Sequence, residues 1–187
     1  RLKTSVKLLA FSVFAFATST VCAQLSGTKT LGSGGDYTSW SALASAISSN
    51  GVNGNLTIEV ISDLTSSSGI TLKNKATNPT SSTKKITIDG KGKKLTSNHT
   101  HASLILDGID YVTLKDYTID QASTSSNVKG IQFKSGADNN TIDGVKIHFS
   151  GLTSSTTSTF SGGAYIVFGS STTSMSTSST THCGVNN

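Results

Sequence analysis

Residues 103–120, SLILDGIDYVTLKDYTID, and residues 130–148, GIQFKSGADNNTIDGVKIH, carry the same pattern twice, offset by 27 and then by 28 positions. When the two stretches are aligned, their apolar and threonine positions coincide. The matched pairs are Leu104 with Ile131, Leu106 with Phe133, Thr113 with Thr141, Leu114 with Ile142 and Ile119 with Ile147. A partial third copy begins at Ile86, which lies 26 positions before Val112. A period in the twenties predicts a chain that coils and stacks on copies of itself.

Short segments with alternating apolar residues recur from Leu56 onward and predict strands. These segments are LTIEVI (56–61), GITLK (69–73), KITID (85–89), SLILD (103–107), YVTLKDYTI (111–119), GIQFK (130–134), NTIDGVKIHF (140–149) and AYIVF (164–168). Alternation turns one set of apolar side chains to the inside. This set contains Ile58, Val60, Ile70, Leu72, Ile86, Ile88, Leu104, Leu106, Leu114, Ile119, Ile131, Phe133, Ile142, Ile147, Ile166 and Phe168. We therefore predict an all-β fold, a parallel β-helix (solenoid) whose equivalent residues lie about 4.8 Å apart in neighbouring coils.

Three Asp-Gly pairs favour a different architecture, an antiparallel β-sandwich, because such pairs are typical of two-residue hairpin loops. The pairs are Asp89-Gly90, Asp107-Gly108 and Asp143-Gly144. The two architectures differ in their predicted neighbours. Only the parallel β-helix places Leu114 beside Ile142 on strands that run in the same direction.

One short amphipathic helix is predicted before the strands. Its apolar face contains Trp40, Leu43, Ala44 and Ile47 at helical spacing. Thr38 is the predicted N-cap, and Asn50-Gly51 provides the stop signal. Because the end of a stack of coils exposes an apolar interior, we expect the helix to cap that end; packing on the side of the stack is the alternative. Residues 24–51 are therefore interpreted as a lead-in and capping helix, and residues 52–187 as coils.

The first 23 residues have the pattern of a secretory signal peptide. Three cationic residues precede the apolar run LLAFSVFAFA (8–17), and a small-residue site ends at Ala23. The alternatives are a membrane anchor, for which the run is shorter than the ~20 residues of a span, and a lipoprotein signal through Cys22. We expect secretion or display at the cell surface, with no membrane span after cleavage.

The two ends of the chain and its cysteines complete this interpretation. The sequence has no initiator Met and no terminating pattern after Cys183, so we interpret it as a piece of a longer secreted protein, truncated at the C-terminus. Once Cys22 is removed with the signal peptide, Cys183 is the single cysteine. An internal disulfide and a Cys-based zinc site are therefore excluded for the mature piece.

Composition and charge favour one extended extracellular domain. The chain is 34% hydrophobic and 13% charged, and its net charge of +5 includes the three cationic residues of the signal peptide. Lysines cluster between residues 73 and 94, but arginine occurs only at position 1 and few aromatic residues are interleaved. Nucleic acid is therefore not an expected partner. We expect a monomer whose lysines form a solvated face or contact an acidic polysaccharide.

Outward positions of the repeat predict a ladder of alternating charge. Asp89, Lys115 and Asp143 are equivalent by the repeat, so their side chains are expected to stack as negative, positive, negative, with charge compensation as a sufficient explanation. Asp120 and His148 are also equivalent, which places an imidazole beside a carboxylate. Such a pair is either an acid–base pair or a surface hydrogen bond, and it supplies the candidate catalytic residues.

A longer excursion predicts a contact region. Phe133 and Phe168 are 35 positions apart, so residues 151–163 lengthen one coil. Loops beside a flat sheet commonly form binding grooves. The residues to which we assign glycan binding are Lys115, Asp143, Lys146, Thr156 and Phe160.

Three turn carboxylates form the candidate metal site of the sequence. The turn carboxylates Asp107, Asp110 and Asp138 are candidate calcium ligands, and no other cofactor is expected. His99 and His101 alternate as strand residues do, but a third ligand is missing, so a solvated loop is the expected structure there.

The pattern xTIxGxxI at residues 140–147, with its glycine and Asx turns, resembles the right-handed parallel β-helix of the pectate-lyase-like fold. The resemblance covers about residues 52–170. The lead-in GSGGDYTSWSALASAI (32–47) is similar to the N-terminal part of large secreted bacterial surface proteins. The resemblance implies lyases with aspartate-bound calcium and an Arg or Lys base, or hydrolases with several aspartates on neighbouring strands. Neither set of residues can be placed on this sequence.

The resulting functional hypothesis is a secreted, non-catalytic β-helix module that binds glycan or acts as an adhesin or scaffold. The alternative is the N-terminal part of a polysaccharide lyase or glycoside hydrolase whose active coils lie further along. A purely structural spacer is the third interpretation, because a fold of this kind specifies its architecture better than its activity.

Overall fold

The structure, a computed structural model, describes residues 24–125, 127–152 and 164–169. The predicted signal peptide, Thr156 and Phe160 in the 151–163 excursion, and Cys183 lie outside these residues. No helix among the described residues is long and apolar enough to cross a membrane.

The described residues form one helix and thirteen strands. In chain order these are β1 (Leu25–Leu31), α1 (Trp40–Asn50), β2 (Val52–Val60), β3 (Leu64–Ser66), β4 (Ile70–Lys73), β5 (Ile86–Asp89), β6 (Lys94–Ser97), β7 (Ala102–Asp107), β8 (Val112–Lys115), β9 (Thr118–Gln121), β10 (Lys129–Lys134), β11 (Thr141–Asp143), β12 (Lys146–His148) and β13 (Ala164–Phe168).

The strands form three parallel sheets. Sheet A has the order β1-β2-β5-β8-β11, sheet B has β12-β9-β6-β3, and sheet C has β13-β10-β7-β4. From β2 onward each coil contributes one strand to A, then one to B, then one to C, which makes four stacked coils. All pairings between these strands are parallel, so the parallel β-helix is confirmed and the antiparallel sandwich is wrong.

The register of the strands matches the sequence repeat. Leu114 pairs with Ile142, Ile119 with Ile147, and Ile86 with Val112. Phe133 pairs with both Leu106 and Phe168, so the long spacing before Phe168 preserves the stack. The hand of the coil stays a prediction.

The predicted inward side chains form the core. Leu72, Ile86, Ile88, Ile119 and Phe133 are fully buried, and the same continuous cluster includes residues from every coil up to the third. Ile166 and Phe168, on β13 at the end of the described stack, are 38% and 40% exposed. Their inward positions are open because no described strand pairs with the far edge of β13.

Helix α1 covers the opposite end of the stack and contributes Trp40, Leu43 and Ile47 to the core. The predicted N-cap, Thr38, is wrong by one residue. Ser39 is the N-cap, because its backbone is extended and its Oγ accepts a hydrogen bond from the Ala42 N–H at 3.2 Å. The predicted stop is confirmed at Gly51, which has φ 71° and donates its N–H to the Ile47 carbonyl at 2.9 Å.

A side-chain hydrogen bond ties the helix to the third coil. The Trp40 Nε1–H donates to the Tyr117 hydroxyl at 3.0 Å, and the two ring centroids are 5.8 Å apart. Burial raises the pKa of Tyr117, so its hydroxyl keeps its proton. The Tyr117 backbone lies directly against Gly90 of the second coil, where a Cβ atom would clash with the next coil. The tyrosine therefore depends on a glycine at that corner.

Three strands were not predicted from the sequence. β1 lies in the glycine-containing segment interpreted as a lead-in, and it forms by pairing with β2. β3 and β6 each contain a single inward leucine, Leu64 and Leu95, which is too short an apolar pattern to predict a strand. The segments 111–119 and 140–149 were predicted as single strands, but each bends at a corner into one strand of sheet A and one of sheet B.

Candidate functional site

A surface groove of about 510 Å³ follows the corner where the chain passes from sheet A to sheet B. It extends across the second, third and fourth coils. We call it the corner groove and define it by its lining residues: Asp89, Lys91, Gly92, Lys115, Asp116, Tyr117, Thr118, Gly144 and Lys146. Three ammonium groups and two carboxylates therefore line one depression.

Asp89 and Lys115, two of the three members of the predicted charge ladder, form one wall of the corner groove. Lys115 pairs in register with Asp89 on one side and Asp143 on the other. Its Nζ lies 3.0 Å from Asp89 Oδ2. The ladder continues to Glu59 in the first coil, because Lys91 Nζ lies 3.2 Å from both Glu59 Oε1 and Asp89 Oδ2.

The ion pairs determine the charge state of Asp89. Partial burial alone would raise the pKa of this carboxyl, but hydrogen bonds from Lys115 and Lys91 outweigh it and hold the pKa below its ordinary value. Asp89 is therefore ionised at neutral pH and neutralises part of the lysine charge.

Lys146 differs from the other two lysines of the corner groove. It lies on β12, its side chain is exposed, and no ion pair engages it within the described part of the chain. Asp116 is also exposed and lines the same groove. Lys146 is therefore a cation available to a ligand.

The structure brings Asp120 and His148 together as the repeat predicts. They are register partners on β9 and β12, and His148 Nδ1 lies 3.2 Å from Asp120 Oδ1. The same carboxylate oxygen accepts the Ser150 backbone N–H at 3.2 Å. Burial raises the pKa of Asp120, but the hydrogen bonds from Ser150 and His148 outweigh it and leave the pKa below its ordinary value.

This pair lies next to the corner groove. Thr118 and Asp120 point outward from β9, and Lys146 and His148 point outward from β12, each two residues apart. The imidazole is 70% exposed, with Nδ1 held by Asp120 and Nε2 on its far side. The arrangement provides a hydrogen-bonding group, and chemically a proton acceptor, at the edge of the groove.

Of the residues predicted to bind glycan, two line the corner groove, Lys115 and Lys146. Asp143 lies beside it as the register partner of Lys115. Thr156 and Phe160 lie outside the described residues. Sequence reasoning missed Lys91, Asp116 and Glu59. Lys91 was missed because it occupies an irregular corner, with φ 49°, where the repeat has no equivalent position.

The structure does not bring the three candidate calcium ligands together as one group. The Asp107 carboxylate is engaged by Lys73 Nζ at 2.8 Å, Lys134 Nζ at 3.4 Å and the Ser135 hydroxyl at 2.6 Å. Asp110 accepts the Asp138 backbone N–H at 2.7 Å, one coil away. Within the described ranges, no three His, Cys, Asp or Glu side chains come together as metal ligands.

His99 and His101 lie side by side between β6 and β7. Their ring centroids are 5.5 Å apart. Burial, and to a smaller extent the neighbouring His101, lower the pKa of His99.

The fold and the groove define this chain as a parallel β-helix repeat protein with a charged surface groove. Comparison with protein-family models, with curated proteins and with solved structures finds no match for the chain.

Proposed function

We propose that this chain is a glycan-binding β-helix module and that the corner groove binds an extracellular glycan carrying carboxylate groups. The carrying observation is the groove of about 510 Å³, in which Lys146 is exposed and has no carboxylate partner among the described residues. Carboxylates and sugar hydroxyls are the groups that lysines and aspartates recognise by charge-assisted hydrogen bonds. The stacked coils support this proposal, because they give a long ligand an extended surface.

The proposed location is the cell surface or the extracellular space. This part of the proposal is supported by the sequence of residues 1–23, whose cationic start, apolar run and small-residue site are typical of secretory signals. A right-handed coil of the pectate-lyase-like type and an adhesin or scaffold role within a longer bacterial surface protein belong to the same proposal.

Titration calorimetry of the full chain with oligogalacturonides, and with cello-oligosaccharides as the neutral comparison, tests the groove. We expect the carboxylated ligand to bind, and Lys146→Ala to weaken it about tenfold, as loss of one charge-assisted hydrogen bond predicts. Lys75→Ala, which removes a lysine outside the groove, is the matched control. Affinity for the carboxylated ligand should fall as salt rises, because salt screens exposed charges. Equal affinity of the wild type and Lys146→Ala would contradict the proposal.

A second candidate function is acid–base chemistry on the bound glycan, as in a polysaccharide lyase or glycoside hydrolase. The observation that favours it is the position of Asp120 and His148 at the edge of the groove. Release of unsaturated or reducing sugar ends during incubation with the same oligosaccharides is the test. Activity that is lost in both Asp120→Asn and His148→Gln would support it, and no release by the wild type would rule it out for this chain.

A further inference from the structure

Tyr111 has an unfavourable backbone conformation for its residue type. It precedes β8 and has φ 54°, in the left-handed region that bulky residues rarely adopt. The equivalent residue in the next coil, 28 positions later, is Asn139, with φ 56°. Asparagine tolerates this conformation far better than tyrosine. The turn therefore does not require tyrosine, and asparagine would satisfy it with less strain.

The Tyr111 side chain does not offset this strain by packing inside the protein. It is half-buried and lies outside the core cluster. Within the described residues, its ring stacks on no other aromatic ring and its hydroxyl makes no hydrogen bond. Backbone strain that is not compensated by packing contacts is typical of functional positions.

Tyr111 instead lines a cleft of about 190 Å³ on the outer face of sheet A. The other lining residues are Lys85, Thr113, Asn139 and Thr141. Lys85 and Asn139 have exposed side chains without ion-pair or hydrogen-bonding partners in the described part of the chain. The cleft thus places one aromatic ring beside polar side chains that have no partner among the described residues.

A column of threonines leads from this cleft along sheet A. The register pairs Thr28 with Thr57, Thr57 with Thr87, Thr87 with Thr113, and Thr113 with Thr141. These five hydroxyls point outward at a spacing of about 4.8 Å, and none has a hydrogen-bonding partner among the described residues. Threonine also favours exposed strand positions, so the column alone indicates no ligand. Tyr111 lies beside this column, two positions before Thr113.

We propose that Tyr111 is a stacking platform for one sugar ring of an unbranched glycan, with Thr113, Thr141 and Asn139 as its polar contacts. An aromatic ring packs on the apolar C–H face of a pyranose while polar side chains bind its hydroxyl edge. Tyr111 lies four positions before Lys115, and the two residues line different depressions. The inference rests on the proposed function for its class of ligand, and it adds a contact that is separate from the corner groove.

Tyr111→Asn in the full chain is the decisive variant, because it removes the aromatic ring and reduces the backbone strain at position 111. We expect weaker binding of oligogalacturonides, by about tenfold, together with a higher melting temperature. Tyr111→Phe keeps the platform and should bind within about twofold of the wild type. Tyr165→Asn, which removes an exposed ring from sheet C, is the matched control and should leave binding unchanged.

Affinities of the Lys146→Ala and Tyr111→Asn variants distinguish the Tyr111 site from the corner groove. If Lys146→Ala abolishes binding and Tyr111→Asn leaves affinity unchanged, the Tyr111 site is wrong and the groove stands. If only the Tyr111 variant weakens binding, the groove is wrong and the platform stands. A lower melting temperature or loss of the fold in Tyr111→Asn would show a structural role for the ring and overturn the inference. Absence of binding by the wild type overturns both proposals.

Discussion

Single buried polar side chains join one coil to the next. Asn140 is fully buried; its Oδ1 accepts the Val112 N–H at 2.8 Å, and its Nδ2–H donates to the Ile109 carbonyl at 3.0 Å. Gln121, also fully buried, donates to the His101 carbonyl and to the Ser103 hydroxyl, each at 3.1 Å. No buried side-chain nitrogen or oxygen of the described residues lacks a partner. These contacts satisfy backbone groups at corners, where the strand ladders are interrupted.

Partly buried aspartates predict loss of stability in acid. Asp107 is the clearest case: burial raises the pKa of its carboxyl, but Lys73, Ser135 and Lys134 outweigh it and lower the pKa overall. The pKa values of the Asp89 and Asp120 carboxyls are also lowered. A carboxyl whose pKa is lower in the folded state stabilises the fold above its unfolded pKa of about 3.9, and this stabilisation is lost as the pH falls through the folded value. We expect the melting temperature, followed by circular dichroism, to fall below about pH 4.

The Asp107→Asn variant measures how much of the acid sensitivity comes from the Asp107 carboxylate. At neutral pH it should lower the free energy of unfolding by about 1–2 kcal/mol, because the carboxylate's ion pairs and its hydrogen bond to Ser135 are weakened. Its melting temperature should then fall less between pH 7 and pH 3 than that of the wild type. The matched control is Asp143→Asn, at an exposed carboxylate that forms no ion pair in the described ranges. Equal acid sensitivity of Asp107→Asn and the wild type would contradict this account.

At the residue scale, what the sequence could predict depended on strand register. The contact between Asp120 and His148 follows from equal positions in the repeat, so it was predictable. The strain at Tyr111 was not, because it depends on a backbone angle at a corner. Lys91 was missed for a related reason: it lies at a corner of irregular length, from which its salt bridge to Glu59 crosses to the preceding coil.

At the scale of elements, the corner between sheets A and B requires close approach of successive coils. A Cβ atom added to Gly90 would overlap the Asp116 carbonyl oxygen and the Tyr117 backbone of the next coil. These atoms cannot move without displacing Tyr117, whose hydroxyl accepts the hydrogen bond from Trp40. The same corner carries the groove, so its geometry and the ligand surface depend on each other.

Gly90→Ala should therefore destabilise the protein by about 1–3 kcal/mol, the usual range for overpacking. Urea denaturation followed by tryptophan fluorescence measures this change, because Trp40 is the single tryptophan of the chain. Gly54→Ala in β2 is the matched control, since a Cβ atom there would meet only Ser26 Cβ at 3.5 Å, an ordinary contact. A Gly90→Ala variant as stable as the wild type would show that the corner is looser than described.

Strands with clearly alternating apolar residues were predictable from the sequence. Strands that form only because a neighbouring strand pairs with them were not. Strands β7 and β10 contain two or more inward apolar residues each and were found from the sequence. β1 has the polar sequence LSGTKTL and forms because β2 offers it an edge. Helix α1 was predicted from its apolar face, but its N-cap was placed one residue early because Thr38 and Ser39 are both good capping residues.

At the scale of the whole molecule, stacking determines both proposed ligand surfaces. Each coil adds one outward position to the threonine column and one to the charge ladder, so a surface along sheet A arises from a repeat that is needed for the core. Both surfaces share strand β8, which carries Thr113 and Lys115 and directly follows Tyr111. A shift of register by one residue would bury these side chains and expose the apolar ones.

The core and both proposed ligand surfaces depend on the parallel register between neighbouring coils, and disulfide cross-linking measures that register directly. In a background with Cys22 and Cys183 changed to Ser, the pair Thr113→Cys and Thr141→Cys should form a disulfide readily, because these residues are register partners. The pair Thr57→Cys and Thr113→Cys, two coils and about 9.6 Å apart, should not. Cross-linking of the second pair, or none of the first, would contradict the stacked parallel β-helix.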